Sequence, residues 1–370
     1  FGICGCLAQK EKSFIKEKIP AIDLIFGPSQ VASIDVLLKK YLDSKKTIIH
    51  CNNKKIFKIN NTPIKHKSDL VAYIQIMKGC NNFCSYCIVP YTRGAEESRP
   101  VEEILAEIKN LSQENYKEIL LLGQNVNSYG NDGNSNNNFL SLLTKINNTG
   151  LIKRIRFTTS HPKDFNLDLI KVIKNGENIC EHIHLPLQSG SDRMLYRMNR
   201  KYTMSQYYQI INHIKSNIPE ASITTDAMVG FPGETEEDFT NTIEAFKKIR
   251  FDSAYTFIYS NRDYTLSSLF ENQIPLNIKK ERLWKLMEIQ KAISLQKNQE
   301  MINNNYEILV ENKSKKGLKN QYWGRTRTNK TAVFYHRDEK NNNLIGKFVI
   351  IKIINTDSYT LYGELIDVKQ

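Results

Sequence analysis

Residues 77–94, MKGCNNFCSYCIVPYTRG, place three cysteines, Cys80, Cys84 and Cys87, on one loop. A structural zinc site takes four protein ligands, commonly as two well-separated pairs. This loop offers C-x-x-x-C-x-x-C and has no histidine or fourth cysteine nearby. Short loops of this kind hold cubane iron–sulfur clusters through thiolates. With three thiolates one iron stays open to an exogenous ligand, and an open iron beside a barrel mouth is a catalytic arrangement.

Outward from the loop, strand-like runs recur at 72–77, 118–123, 154–159, 181–188, 222–231 and 253–260. Amphipathic helical patterns lie between them at 100–114, 139–147, 166–174, 205–216 and 235–249, and a long one follows at 279–301. In the first of these Ile104, Leu105, Ile108 and Leu111 share a face. Six strands alternating with helices predict a parallel sheet curled into a partial barrel. Sites in such barrels sit at the C-terminal ends of the strands, and the three cysteines follow directly on the first strand. His182 and His184 on the fourth run are expected to divide, one facing the lumen and one packing outside.

Residues 1–43 read strand, turn, helix, strand, helix, which suits part of an α/β unit. The chain opens on Phe1 rather than Met, and this segment is expected to be the second half of a domain that is truncated at its N-terminus. Residues 44–69 are polar and rich in Lys and Asn, and are expected to form a connector. After a barrel over 70–302, residues 303–370 carry five short strand-like runs, the size of a small all-β barrel. Residues 304–370 hold 12 Lys/Arg and 7 Asp/Glu, net +5, with Tyr322, Trp323, Phe334, Tyr335 and Tyr359 among them. Basic grooves with stacking aromatics hold single-stranded nucleic acid, and the same rings could equally be barrel core.

The composition narrows the class further. The 370 residues carry 52 Lys/Arg against 39 Asp/Glu, a formal charge of +13, which raises the odds of a polyanionic partner. Seven cysteines are too few and too scattered for a disulfide-stapled secreted protein, so a reducing cytoplasm is expected. No run approaches the ~20 apolar residues of a membrane span.

The cysteine spacing, with Tyr86 just before the last thiol, resembles the cluster loop of radical S-adenosylmethionine (SAM) enzymes. Longer blocks resemble the tRNA methylthiotransferase family over essentially the whole chain: MKGCNNFCSYCIVPYTRGAEESRP, LLGQNVNSYG, HLPLQSGSDRML, TTDAMVGFPGETEEDF and WGRTRTNKTAVFYH. Within it the best likeness is to the branch acting on N(6)-dimethylallyladenosine. The resemblance implies a radical SAM partial (β/α)6 barrel, preceded by part of an α/β methylthiotransferase domain and followed by a TRAM barrel. It implies a 4Fe-4S cluster at Cys80, Cys84 and Cys87 whose open iron chelates S-adenosyl-L-methionine. It also implies an auxiliary 4Fe-4S cluster, with Cys6 as one ligand and the other two upstream of this chain. Two clusters are therefore expected per full-length chain and one here. Cys4, in FGICG, is expected to be a strand residue and no ligand.

By the same resemblance Tyr86, Gly123, Gln124, Ser160, Gln188 and Gly230 are expected around the cosubstrate. Gln124 would accept from the methionine ammonium, and Gly230 would let the backbone pass close to the adenine or ribose. Arg93 and Arg99 would reach a phosphate or carboxylate, or pair with Glu96 and Glu97. The implied reaction adds a methylthio group to carbon 2 of N(6)-dimethylallyladenosine 37 of tRNA. The implied partners are the tRNA anticodon stem-loop and an electron donor such as flavodoxin or ferredoxin, with the enzyme a monomer. Alternatives keep the chemistry but act on threonylcarbamoyl-adenosine or a ribosomal-protein aspartate. A rival of another class is a non-catalytic zinc protein that binds RNA.

Overall fold

The computed structural model describes residues 1–51, 68–133, 137–314, 320–336 and 343–369. Most of the expected connector, 52–67, and the middle of the asparagine-rich loop, 134–136, lie outside the described residues. The N-terminal unit runs β1 (Gly2–Cys4), α1 (Cys6–Lys18), β2 (Leu24–Phe26), α2 (Ile34–Ser44) and β3 (Ile48–His50). Its strands form one parallel sheet in the order β1–β2–β3. The connector expected from residue 44 therefore starts later. Ile48 and Ile49, β-branched residues in a Lys-rich run, carry the strand propensity that extends the sheet.

The middle unit follows in chain order as β4 (Val71–Gln75), β5 (Met77–Lys78), α3 (Val89–Arg93), β6 (Glu97–Ser98), α4 (Val101–Gln113), β7 (Glu118–Leu122), α5 (Phe139–Asn148) and β8 (Arg154–Phe157). Then come α6 (Asp168–Asn175), β9 (His182–His184), α7 (Asp192–Arg197), α8 (Met204–Asn217), β10 (Ser222–Val229), α9 (Glu236–Ile249), β11 (Ser253–Ile258) and α10 (Leu276–Gln299). Two three-stranded parallel sheets, β4–β7–β8 and β9–β10–β11, are joined by a parallel bridge between Ile155 and Ile179. This is the six-stranded partial barrel that the alternating pattern predicts. Ile104, Ile108 and Leu111 of α4 turn inward as their spacing requires. Capping boxes of Thr203 with Gln206 and Thr235 with Asp238 fix where α8 and α9 begin.

Past α10 the chain builds β12 (Asn305–Lys313), β13 (Gln321–Thr326), β14 (Thr331–Tyr335), β15 (Phe348–Thr356) and β16 (Thr360–Val368). They close into a barrel in the order β12–β13–β14–β16–β15. The aromatics divide by position. Tyr322 and Phe334 stack at 5.9 Å in the barrel core, whereas Tyr335 and Tyr359 are exposed.

The turn between β13 and β14 seals the N-terminal end of the larger barrel. Arg154 and Arg156, at the start of β8, are buried and point toward it. Arg154 donates to the Arg325 carbonyl at 2.7 Å and to Glu307 Oε1 at 3.0 Å. Arg156 donates to the Arg327 and Thr326 carbonyls at 2.6 and 2.7 Å. In return Arg325 reaches Glu118 at 2.8 Å, Arg327 forks onto Glu181, and Lys330 reaches Asp252 at 3.0 Å. Glu118 is fully buried, and Arg156 Nε also lies 3.0 Å from its carboxylate.

Above this floor His182 and His184 line the same cavity of about 450 Å³, together with Arg156, Thr224, Asp226 and Tyr255. The expected division of the two histidines does not occur. Strand side chains alternate with period two, so residues 182 and 184 share a face and Ile183 takes the other. His182 Nε2 and His184 Nδ1 each lie 3.0 Å from Thr224 Oγ1. Burial, helped by Arg156 and His184 and opposed by Asp252, lowers His182 from 6.5 to about 3.

Two outcomes follow. Glu118→Ala leaves buried arginines without their shared carboxylate and should cost about 3–5 kcal/mol, read as a lower urea midpoint. A loss below about 1 kcal/mol would contradict this account of the floor. For His182 the folded value is depressed, so the unfolded chain takes the proton first. Stability is full above pH 6.5 and is lost as pH falls toward 3, by up to about 1.4 kcal/mol per unit. His182→Gln should flatten that slope in urea titrations run across the interval, and an unchanged slope would remove His182 from its cause.

Candidate cluster and cosubstrate site

The cysteine loop leaves the sheet just past the C-terminal end of β4. Its entry is tight: Gly79 has φ +75°, and a Cβ there would sit 1.9 Å from the Ala95 carbonyl. Phe83 also lies in the left-handed region, at φ 49°. The loop is pinned to the segment that ends α7. Ser85 N donates to the Met198 carbonyl at 3.0 Å, Ser85 Oγ to the Arg197 carbonyl at 2.9 Å, and Asn199 Nδ2 to the Phe83 carbonyl at 2.8 Å. A loop with two left-handed residues and three cross-links to another segment is held in one shape.

Cys80 and Cys84 are buried, Cys87 is half-buried, and all three are free thiols. Burial pushes the Cys80 thiol up to about 11 and raises Cys87 as well. A metal binding here must displace protons to gain its thiolates. Among the described residues no three His, Cys, Asp or Glu side chains gather round a single ion position. A cubane held by one thiolate per iron does not need that convergence, and a soft all-sulfur donor set suits it. Tyr86 lies in the loop between two of the thiols. Its ring meets Phe231 edge-on at 6.4 Å and joins a patch with Met194, Met198 and Tyr259.

At the C-terminal ends of β7 and β8 the rim carries polar atoms that are buried and have no partner among the described residues. They include Gln124 Oε1, Ser160 Oγ and His161 Nε2. His161 Nδ1 accepts from the Lys163 backbone N–H at 3.2 Å, which puts the proton of the neutral ring on Nε2. Burial, then Arg200 and two lysines, hold that ring neutral, down at about 2. The rim thus presents an acceptor, a hydroxyl and a donor without partners, after β7 and β8. Buried polar groups are normally satisfied, so this set fits a polar ligand such as an amino acid headgroup.

The other anticipated positions have local reasons. Gly123 passes Met77, whose Cγ would lie 2.5 Å from an added Cβ. Gly230 has φ +71° and lies against the Lys279 stem, 2.3 Å from such a Cβ, while its N–H donates to Glu234 at 2.7 Å. In the direction a side chain would take from Gly230, the neighbour is thus the Lys279 stem. Gln188 has φ 64° and bridges to β10, donating to the Asp226 carbonyl at 2.8 Å. Arg99 is buried and pairs with Glu103 and Glu107 rather than with Glu96 and Glu97. Cys6 opens α1, which packs against α3 beside the cysteine loop, and Cys4 ends β1 with its side chain exposed.

Sequence reasoning missed Arg200. It follows α7 in RMNRKYT, with no motif to mark it, and only the fold brings it to the thiols. Its Nη1 lies 3.5 Å from Cys84 Sγ, its Nη2 donates to the Pro186 carbonyl at 3.3 Å, and its guanidinium lies 5.4 Å from the Tyr202 ring centre.

Comparison with known proteins agrees with this geometry. The radical SAM superfamily profile matches residues 74–246, and the TRAM domain profile matches residues 299–366. A curated tRNA-2-methylthio-N(6)-dimethylallyladenosine synthase of Thermoanaerobacter pseudethanolicus is 47% identical over 369 residues, 99% of this chain and 77% of the relative. The enzymes of the same name from Caldicellulosiruptor saccharolyticus and Acetivibrio thermocellus are 46% and 44% identical. They align over 99% and 98% of this chain, and 77% and 75% of their own lengths. At that identity and coverage, with a radical SAM barrel bearing three rim thiols and a TRAM barrel beneath it, the chain belongs to the tRNA-2-methylthio-N(6)-dimethylallyladenosine synthase family.

Proposed function

We propose that this protein methylthiolates carbon 2 of N(6)-dimethylallyladenosine at position 37 of tRNA. The observation that carries the reading is the pinned loop of three buried thiols beside unpartnered rim groups, in a chain of this family. Cys80, Cys84 and Cys87 would hold a 4Fe-4S cluster. When bound there, the cluster supplies the low-potential electron that splits the sulfonium of S-adenosylmethionine. The need for such chemistry is physical: an aryl C–H at carbon 2 is neither acidic nor electrophilic, so acid–base groups alone would not remove it.

This chain's residues bind, orient and shield. Gln124 Oε1 accepts from the cosubstrate ammonium, while Ser160 Oγ and His161 Nε2–H offer donors to its carboxylate. Tyr86 and its aromatic neighbours wall off water beside the thiols. Gln188 and Gly230 shape the rim around this pocket. The TRAM barrel, net +5 over residues 304–370 from 12 basic and 7 acidic residues, holds the anticodon stem-loop through phosphate contacts that weaken with salt. No described helix is long and apolar enough to cross a membrane. Cys6 would be one of three ligands of an auxiliary cluster, the other two not being among the residues of this chain, and a flavodoxin- or ferredoxin-like donor supplies electrons to a monomeric enzyme in the cytoplasm.

The test is nucleoside mass spectrometry of tRNA from cells lacking the protein. The 2-methylthio-dimethylallyl nucleoside should vanish, with dimethylallyladenosine accumulating, and return on complementation. An unchanged level with loss of 2-methylthio-threonylcarbamoyl-adenosine would overturn the substrate. In purified protein, Gln124→Ala and Ser160→Ala should each weaken S-adenosylmethionine binding about tenfold, as expected when a buried polar partner is lost. Undiminished affinity in both would remove them from the site.

A further inference from the structure

Phe83 is the outlying residue of the cysteine loop. It lies between Cys80 and Cys84 with its backbone in the left-handed region, at φ 49°, where a bulky side chain is a genuine outlier. Glycine or asparagine would turn the loop there with less strain. The ring nevertheless faces outward, and 53% of the residue is accessible. It meets Tyr91 of α3 edge-on at 6.2 Å, and Tyr91 is itself half exposed. Asn199 fixes the backbone from the neighbouring segment. Its Nδ2 donates to the Phe83 carbonyl at 2.8 Å, and its N–H donates to the carbonyl of Tyr196 at 3.0 Å. Tyr196 is 86% exposed. A strained residue that presents an aromatic patch to solvent points to a binding surface.

The unpaired charge around this corner is positive. Glu97 is taken by Lys78 at 3.1 Å, and Glu96 accepts from the Asn81 backbone N–H at 3.2 Å. Arg93, which ends α3, and Lys201, exposed two residues past Asn199, form no ion pair among the described residues. The chain as a whole carries a formal charge of +13, so an acidic partner is steered toward it.

We propose that the Phe83–Tyr91 corner is the docking surface for an acidic one-electron carrier protein, with Tyr196, Arg93 and Lys201 at its edge. The inference rests on the reading of Cys80, Cys84 and Cys87 as cluster ligands. The carrier gives up one electron and the cluster takes it, and no bond is made or broken. Phe83 is joined by one peptide bond to Cys84, so a partner seated on its ring lies one residue from a ligand thiolate. RNA would be drawn by the same cations, but that proximity serves only electron transfer. Encounters of this kind are small, below about 1,200 Å² in total, with aromatic rings enriched in the contact and polar groups at the margin.

The test drives 5′-deoxyadenosine formation by the reconstituted protein with two reductants: reduced flavodoxin, an acidic carrier, and dithionite, which needs no docking surface. Two variants are compared with the wild type. The first is a Phe83→Asn, Tyr91→Ser double variant, in which asparagine tolerates the left-handed turn. The second is Lys201→Glu. With subsaturating flavodoxin the double variant should lose roughly tenfold in rate, and Lys201→Glu should lose rate most at low salt. Both should match the wild type with dithionite. Binding is read without turnover: calorimetric titration with oxidised flavodoxin should give a roughly tenfold higher Kd for the double variant. Flavodoxin-driven rates equal to the wild type in both variants overturn the inference. Equal loss with both reductants also overturns it, because Phe83 would then only shape the loop. Unchanged flavodoxin rates with weakened tRNA binding, or with a wild-type dimer that the double variant splits, would assign the corner to RNA or to a second copy instead. A wild type that takes up no iron and cleaves nothing with dithionite would sink the cluster reading itself, which is a separate failure.

Discussion

The N-terminal end of the six-stranded partial barrel is covered by the turn between β13 and β14 of the small barrel. Here the seal is ionic. Arg154 and Arg156 of β8 reach across to carbonyls of the β13–β14 turn, and that turn sends Arg325, Arg327 and Lys330 back to Glu118, Glu181 and Asp252. Glu118, Arg154, Arg156 and Asp252 of the large barrel are buried while Arg325, Arg327 and Lys330 stay partly exposed, so removing the shared Glu118 carboxylate leaves desolvated charges. The exchange joins the small barrel to the large one at the end of the strands opposite the cysteine loop.

The rim is organised by the opposite device, polar groups left without partners. Three thiols, Gln124 Oε1, Ser160 Oγ, His161 Nε2–H and Arg200 Nε are packed where the chain offers them little or nothing. Such a collection is costly in a folded protein and marks a place shaped for something the polypeptide does not supply. The floor pairs its charges within the chain, although Glu118 Oε2 and Arg154 Nε there also lack hydrogen-bond partners among the described residues, whereas the rim groups have no charged partner of this kind.

Much of this was legible in the sequence. The period-two runs and the intervening helical faces yield all six strands of the partial barrel. The position of the three cysteines directly after the first strand places them at the C-terminal rim of the partial barrel. The five strands of the small barrel follow from short runs between polar turns. What stayed hidden was tertiary. Arg200 lies 116 residues from Cys84 in sequence, and no local pattern distinguishes it from a solvated arginine. The basic residues at the end of β13 and in the turn after it read as part of a nucleic-acid surface, yet Arg325 and Arg327 are spent on the barrel floor. Tyr322 and Phe334 likewise belong to the core and Tyr335 and Tyr359 to the surface, a division that charge and aromatic content do not reveal. Gly230 shows the same limit: its positive φ signals a close approach, and only the fold identifies Lys279 as the neighbour.

The central claim is that the three rim thiols hold a cluster with one open iron for S-adenosylmethionine. The most direct measurement is Mössbauer spectroscopy of the anaerobically reconstituted protein, with and without S-adenosylmethionine, beside a Cys80→Ser, Cys84→Ser, Cys87→Ser triple variant. The account predicts a 4Fe-4S signal in which one iron site changes when the cosubstrate is added, and which the triple variant lacks. A colourless protein carrying zinc, or a cluster unaffected by S-adenosylmethionine and retained by the triple variant, would contradict it.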